Sequence, residues 1–322
     1  MAWRVQILDP ATHMLVPHQT ERLPERPTGA GVVWIDLVEP TEPELKEIGR
    51  MYGLHHLALE DCLHDGQRPK LDAYENHVFM VLHHPRFEAK HHRMVLDELD
   101  MFLGPNFVIT SHHRPLALLE TVRERWAEAE EARTEGAPFL AYLICDTAVD
   151  DYFPVLDKLE DRLAVLDERV FREHDHHLLE EAFRLKKQLL HLRRIVGPTR
   201  DVFVWLLRHE APLISRATVL HFQDVYDHLI RVSDALDLYR DLAGGVQETY
   251  LTMAANRMNV SMKRLTAFTI TLMLVTLVSS VYGMNFHRIP ELSWPHGYYF
   301  ALGLMAALGT TSLAIFKFRG YF

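Results

Sequence analysis

The stretch LTAFTITLMLVTLVSSVYGMNFH (265–287) decides the fold of this 322-residue chain. Its 23 residues include no Asp, Glu, Lys or Arg. A helix of about 20 apolar residues is long enough to cross the hydrocarbon core of a bilayer, which is roughly 30 Å thick. A second uncharged run of 25 residues follows at 292–316 after a short polar link. A buried core helix would explain one such run, but two near the C-terminus predict a membrane protein with two transmembrane helices.

The charges that flank the two runs predict their orientation. Lys263 and Arg264 precede the first run, and Lys317 and Arg319 follow the second, whereas the link carries Arg288 as its one strong base. Because basic residues concentrate on the cytoplasmic side, we expect the link outside and both outer ends inside. The sequence therefore predicts a multi-pass protein of the inner (plasma) membrane with cytoplasmic N- and C-termini.

Composition excludes several functional classes. A net charge of -10 argues against a nucleic-acid partner. The chain has two cysteines, Cys62 and Cys145, which suits a reducing cytosol better than a disulfide framework. We find no nucleotide-binding loop, HExxH motif or nucleophile elbow. An enzyme is therefore the least favoured class, and no permanently bound cofactor is expected.

The N-terminal part has the pattern of an α/β domain. Runs rich in β-branched and aromatic residues predict strands at 32–38, 77–84, 94–104 and 106–113. Between the first two, 41–53 has the pattern of a helix, with Thr41 as N-cap, Glu44 three residues on and Gly53 at its end. Strands that alternate with helices indicate an α/β fold.

The rest of the cytosolic part is helical. Amphipathic sequence covers 116–134 and 141–195, with a break expected at 173–177, and Pro198 and Pro212 are expected to punctuate the next helical stretch. No proline occurs from 215 to 282, which predicts one helix on the order of 100 Å long at 1.5 Å per residue. The predicted division is a cytosolic α/β domain (1–145), a helical stalk region (146–262), transmembrane helix 1 (263–284), an extracytoplasmic loop (285–296), transmembrane helix 2 (297–316) and a cytosolic tail (317–322).

A polar stripe runs along the first transmembrane helix. Its steps alternate between three and four residues, which places its members on one seam of a packed helix. The stripe consists of Asn259, Met262, Thr266, Thr269, Met273, Thr276, Ser280 and Gly283. Small and hydroxyl residues also mediate contacts between membrane helices, so a helix–helix seam is one interpretation. The other is a water-lined path enclosed by several subunits around a cyclic axis.

The chemistry of the stripe suits a conduit for hydrated cations. It contains no carboxylate, and hydroxyls, amides and thioethers hold a cation weakly enough to release it. Mg²⁺ keeps much of its water shell, so neutral oxygens acting through water are suitable partners. Gly283 is expected to end the helix, which places Met284 and Asn285 at the outer mouth.

The sequence Tyr282-Gly283-Met284-Asn285, followed by Pro290-Glu291-Leu292, resembles the CorA family of magnesium and cobalt channels. The GMN tripeptide at the end of the penultimate span is that family's signature. Further similar stretches are 55–82, 148–153 and 222–242, so the resemblance covers almost the whole chain. It implies a homopentameric funnel in which a very long stalk helix continues into the pore-lining span and the second span lies outside it.

The resemblance also implies roles for individual residues. Asn285, with Gly283 and Met284, resembles the outer selectivity site. Leu265 is added to the stripe as a pore-lining position beside Asn259, Met262, Met273 and Thr276. Asp224 resembles a ligand of a cytosolic regulatory metal site between subunits, and its partner is expected within 88–93, with Glu88 as the candidate.

The predicted function is uptake of Mg²⁺, and of Co²⁺ or Ni²⁺, through a channel that cytosolic divalent cation closes. Expected partners are further copies of the chain, the lipid bilayer and divalent metal ions. Histidine clusters at 83–93, 111–113 and 173–177 keep a Zn²⁺ transporter open as an alternative, because imidazole favours transition metals. Met284 argues against it, and exposed surface histidines are the simpler interpretation of the clusters. A non-conducting, membrane-tethered metal sensor is the alternative from another class.

Overall fold

The computed structural model describes residues 3–8, 15–17, 24, 26, 31–88, 93–129, 131–172, 177–208, 213–285 and 294–321. Within it the chain divides into two compact units, Met1–Val246 and Gln247–Phe322.

The first unit contains a seven-stranded mixed sheet with strand order β2-β1-β3-β7-β6-β5-β4. The strands are β1 (Trp3–Leu8), β2 (Leu15–Pro17), β3 (Val33–Val38), β4 (Lys70–Ala73), β5 (Val78–Glu88), β6 (Arg93–Leu103) and β7 (Phe107–His112). The central pair, β3 and β7, is parallel, with Ile35 opposite Ile109. The other neighbouring strands are antiparallel.

Helices cover both faces of the sheet. The helices of the described residues, in chain order, are α1 (Glu42–Tyr52), α2 (His56–Asp61), α3 (Leu118–Glu128), α4 (Ala132–Glu135), α5 (Ala137–Asp150), α6 (Tyr152–Arg172), α7 (His177–Arg208), α8 (Arg216–Tyr282) and α9 (Gly297–Phe318). On one face α1 and α2 pack against the sheet through Ile48, Tyr52 and Ala58. On the other, α5 contacts β5, β6 and β7. Every residue of β7 is buried, as expected for a strand covered on both sides.

Several sequence-based predictions are confirmed here. Helix α1 starts after Thr41, whose backbone N–H donates to Glu44 Oε2 over 2.8 Å and whose hydroxyl donates to the same oxygen over 2.7 Å. It ends at Gly53, which has φ 67°. The four predicted strands correspond to β3, β5, β6 and β7, although β5 extends to Glu88.

Pro198 does not end a helix, contrary to expectation. It lies inside α7, which continues to Arg208. Proline removes one backbone hydrogen bond. Val196 and Val202, on either side of Pro198, are both buried. The free energy gained by burying this face of α7 offsets the lost hydrogen bond. Pro212 lies outside the described residues. The break predicted at 173–177 falls between α6, which ends at Arg172, and α7, which begins at His177, and its residues 173–176 also lie outside the described residues.

The second unit comprises the end of α8 and all of α9. Both helices have the length and composition of membrane spans. Helix α8 is continuous over 67 residues, as the absence of proline predicts, and the two glycines Gly244 and Gly245 do not interrupt it. The predicted architecture is therefore confirmed in its α/β domain, its very long helix and its two apolar helices.

Candidate pore face and regulatory site

One face of the first span contacts α9. Ala267 and Thr271 on α8 are buried, with 0% and 8% of their surface exposed. The hydroxyl of Thr271 is 3.0 Å from that of Ser312 on α9, within hydrogen-bond distance. A Cβ placed on Gly309 would lie 3.6 Å from Val275 Cγ2, so the two helices approach closely there. These positions, four residues apart on α8, define the contact face of the first span.

The polar stripe lies on the opposite side of the helix. Successive residues of an α-helix are rotated by about 100°, so the stripe positions fall within about 60° of the direction opposite Thr271. All of them are exposed in the single chain, and so is Leu265: Asn259, Met262, Leu265, Thr266, Thr269, Met273, Thr276, Ser280 and Gly283. The stripe is therefore not the seam between the two spans of one chain.

The stripe threonines present hydrogen-bond acceptors. The hydroxyl of Thr266 donates to the carbonyl of Met262, and that of Thr269 to the carbonyl of Leu265, each over 2.9 Å. Since each hydroxyl hydrogen is already used within the helix, the oxygen offers its lone pairs outward. Water bound to a cation points its hydrogens away from the ion, and these lone pairs are suited to accept them.

The end of α8 positions the GMN tripeptide. After Tyr282 the N–H of Gly283 donates to the carbonyl of Ser279 over 2.9 Å, and the N–H of Met284 to that of Val281 over 3.3 Å. Asn285 follows as an exposed residue. The remainder of the predicted motif, 290–292, lies outside the described residues.

Asp224 lies beside a group of metal-ligating side chains. It is exposed on α8, and its Oδ2 is 3.9 Å from Nε2 of His228, one turn further along. His228 Nδ1 is in turn 3.0 Å from Asp150 Oδ1 on α5. Asp146, Asp150 and His228 offer ligand atoms that all lie within 4.8 Å of one another. Asp146, Asp150 and His228 were not predicted as ligands from the sequence, although 148–153 is one of the stretches that resemble the family.

The carboxylates in and beside this group differ in whether an arginine neutralises them. Asp146 is buried and accepts a 2.6 Å hydrogen bond from Arg125. Burial raises the pKa of its carboxyl, and the guanidinium opposes that shift. Asp150, with 46% of its side chain exposed, and the more exposed Asp224 carry no such arginine contact in the described structure. Two carboxylates and one imidazole are ligand types that divalent cations accept.

Glu88 is not part of this group. It is the last residue of β5, whereas the three-ligand group that the described residues form lies between α5 and α8. The predicted pairing of Glu88 with Asp224 involves two subunits, so within one chain it stays a prediction.

The interpretation of the histidine clusters as surface residues is wrong for three members. His83, His84 and His112 are buried, and burial lowers the pKa of His83 to about 4. His84 Nε2 is 2.7 Å from Asp151 Oδ2, and His112 Nε2 is 2.9 Å from Asp36 Oδ1. These two imidazoles have protein partners in the interior, which explains them without a metal. Residues 89–92 and 173–176 lie outside the described residues.

An α/β domain, a helix of 67 residues with an apolar end and a second apolar helix are the features of a membrane protein with two candidate spans. The comparisons with known proteins give its family. Residues 29–319 match the family described as "CorA-like Mg2+ transporter protein", and the chain belongs to this family.

Individual relatives cover most of the chain. YfjQ of Bacillus subtilis is 37% identical over 291 residues, which are 90% of this chain and 89% of that protein. The "Cobalt/magnesium transport protein CorA" of Thermotoga maritima is 34% identical over 286 residues, 88% and 82% of the two chains. The complete structure of the CorA magnesium transporter from Methanocaldococcus jannaschii has the same fold, with a TM-score of 0.84, 22% identity and coverage of 100% and 99%. The predicted family is thereby confirmed: the chain is a metal-ion transporter of the membrane, not an enzyme.

Proposed function

We propose that this chain assembles into a homopentameric channel that admits Mg²⁺, and also Co²⁺ or Ni²⁺, across the inner (plasma) membrane. Both termini lie in the cytoplasm. The observation that supports conduction is the position of the polar stripe, which faces away from α9 on an otherwise apolar helix.

One helix cannot enclose a path, so several copies must turn the same face inward. With the stripes inward, each α9 lies on the outer side of its own α8, where its apolar surface meets lipid. The number five comes from the resemblance to the family, not from the single chain. The alternative use of the stripe is a dry contact between copies, which leaves no continuous water path.

Selection is proposed to occur at the outer mouth. Gly283 ends the helix there, so that Met284 and Asn285 extend beyond the last turn. A ring of Asn285 amide oxygens binds the water shell of an incoming cation without stripping it. Below this ring the hydroxyl oxygens of Thr276, Thr269 and Thr266 continue the polar path, and Met273, Leu265 and Met262 narrow it.

The full chain reconstituted into liposomes tests conduction. Under an inward-negative potential, a trapped Mg²⁺ dye should report influx. Asn285→Ala should reduce influx to the level of empty liposomes, because the outer ring loses its amides. Thr310→Ala, on the exposed side of α9, is the matched control and should retain wild-type flux. Normal flux in Asn285→Ala would contradict the selectivity assignment, and no flux under any ionic condition would favour the membrane-tethered sensor.

The zinc alternative is tested in the same liposomes. Zn²⁺ influx that persists in excess Mg²⁺ would identify a zinc transporter of the same architecture. We expect Mg²⁺ to compete effectively. The interior positions of His83, His84 and His112 remove part of the reason for proposing zinc.

Closure by cytosolic Mg²⁺ is proposed to act through Asp224, with Glu88 of a neighbouring subunit as its partner. Acidic side chains close together repel each other, and a bound dication favours the arrangement that brings them together. The nearby carboxylate of Asp150 extends this negative region, and the imidazole of His228 adds a nitrogen ligand beside it. Occupancy then biases the channel toward its closed state.

Charge reversal at Asp224 tests this regulation. Asp224→Lys should raise the internal Mg²⁺ concentration that half-closes the channel by about tenfold, a typical allosteric coupling. Asp241→Lys makes the same charge change at an exposed position of the same helix and should leave closure unchanged. Equal sensitivity in the two variants would remove Asp224 from the regulatory site.

A further inference from the structure

Two buried carboxyl groups lie side by side on β6. Glu98 and Asp100 are two residues apart and therefore point to the same face of the strand. They are only 7% and 2% exposed. One oxygen of each, Glu98 Oε1 and Asp100 Oδ1, has no hydrogen-bond partner among the described residues. Ionising such a pair costs free energy, because a buried charge needs a partner or water.

The carboxylates of Asp61 and Asp65 are among the charges that oppose ionisation of the pair. The titratable and charged groups nearby are Asp61 and Cys62 at the end of α2, Asp65 in the next loop, Lys70 of β4, His83 of β5, Asp97 of β6, and His113 and Arg114 after β7. The ammonium of Lys70 is 2.6 Å from Asp61 and 3.2 Å from Asp72, so it already has two carboxylate partners. Asp97 is 2.9 Å from Arg86. His83 is neutral at cytosolic pH, since burial lowers its pKa to about 4.

Burial is the main cause of altered acidity in the pair. It raises the pKa of Glu98 to about 7, against the opposing effect of the hydrogen bonds from the Gly66 and Gln67 N–H groups. With the charge of Glu98 adding to burial, the pKa of Asp100 is raised to about 8. The two groups repel each other when ionised, so they lose their protons in coupled steps. Both steps are displaced above the usual range of a carboxyl group.

Glu98 also fixes the segment that covers the pair. Its Oε2 accepts hydrogen bonds from the N–H groups of Gly66 and Gln67, over 2.7 and 2.8 Å. Cys62, at the start of this segment, is itself buried against Asp100. Beside Glu98 lies a cavity of about 180 Å³, which Asp65 and Arg114 also line.

We infer that residues 62–70 form a proton-controlled cover of the cytosolic domain. The cover closes on β6 while Glu98 and Asp100 are protonated and opens to admit water when they ionise. The direction follows from linkage: the closed fold binds more protons than the open one, so closure weakens as pH rises through the two proton losses. A cytosolic pH change would thereby alter the surface that this domain presents.

Hydrogen exchange of the purified full chain tests the inference. At pH 6.5 and 8.5, with rates corrected for intrinsic exchange, protection of the Gly66 and Gln67 amides should fall by about tenfold at the higher pH, since each pH unit beyond a pKa is a factor of ten. Glu98→Gln combined with Asp100→Asn should remove this pH dependence. Glu47→Gln, the same change on the exposed face of α1, should keep it.

Two outcomes overturn the inference. One is equal protection of the cover at both pH values in the wild type. The other is an unchanged pH dependence in the double variant. If Asp100→Asn does not fold, Glu98→Gln alone should melt at a higher temperature than wild type at pH 8.5 but not at pH 5. Identical melting shifts at the two pH values would equally contradict the proposal.

Discussion

Thr269 and Thr271 are two positions apart on α8 but have different surroundings. Both hydroxyls donate to the carbonyl four residues earlier, but that of Thr271 is also buried against Ser312, whereas Thr269 is exposed. Hydroxyl pairs between membrane helices contribute about 0.6 kcal/mol on average, up to roughly 2 kcal/mol. Chemically identical residues on one helix thus serve packing on one side and the proposed water path on the other.

A double-mutant cycle measures the packing side. Thr271→Val and Ser312→Ala should each lower the unfolding midpoint in detergent, and their combination should cost less than the sum because they share one hydrogen bond. Thr269→Val is the matched control and should leave the midpoint close to that of the wild type. Additive losses at Thr271 and Ser312 would show that the two hydroxyls do not interact.

Residue spacing alone predicted the stripe but not the ligand group. Stripe members follow one another along a single helix, so steps of three and four residues reveal their common face. Asp146 and Asp150 meet His228 from a different helix, about 80 residues away in sequence. No local pattern encodes such a meeting. The interior positions of His84 and His112 were missed for a related reason, since their aspartate partners, Asp151 and Asp36, lie far from them in the sequence.

At the scale of the element, glycine has opposite effects at two positions. Gly53 adopts φ 67° at the end of α1, a conformation that costs an L-residue about 1 kcal/mol. A Cβ there would also lie 3.2 Å from Asn76 Nδ2. Gly245 lies within α8, and among the described residues no other side chain lies within 4 Å of its Cβ position. There glycine only weakens the helix, by about 0.5–1 kcal/mol relative to alanine.

These two glycines therefore give a prediction with opposite signs. Gly53→Ala should lower the free energy of unfolding by about 1 kcal/mol, and Gly245→Ala should raise it by a similar amount. Denaturant midpoints of the full chain in detergent measure both. A gain from Gly53→Ala would show that α1 does not need a left-handed residue at its end. A loss from Gly245→Ala would indicate that a neighbouring copy approaches α8 there.

The elements that sequence patterns predicted are those with strong local signals. Helix α1 carried its own capping pair, and β3, β5, β6 and β7 are rich in β-branched and aromatic residues. Strands β1, β2 and β4 were not predicted: β2 and β4 are short edge strands whose existence depends on a neighbour for pairing. Pro198 was wrongly expected to interrupt a helix, because proline disfavours a helix interior locally. Packing along α7 keeps the helix continuous through this position.

At the scale of the whole molecule, the central claim is that the stripe of α8 faces water in the assembled protein. The single chain shows which side of α8 is covered by α9. Whether the opposite side of α8 contacts water or another copy is determined by the assembly. Cysteine accessibility distinguishes a water path from a dry contact. The background is favourable, because the native Cys62 and Cys145 are both buried in the first unit.

The most direct measurement is Mg²⁺ flux through liposomes containing Thr269→Cys, Thr276→Cys or Thr271→Cys, before and after a positively charged thiol reagent. Each variant is compared with its own unmodified flux. The account predicts that the reagent blocks flux in Thr269→Cys and Thr276→Cys and leaves Thr271→Cys unaffected, since that side chain faces α9. Unmodified thiols at both stripe positions, or block at Thr271→Cys alone, would contradict a pore lined by this face.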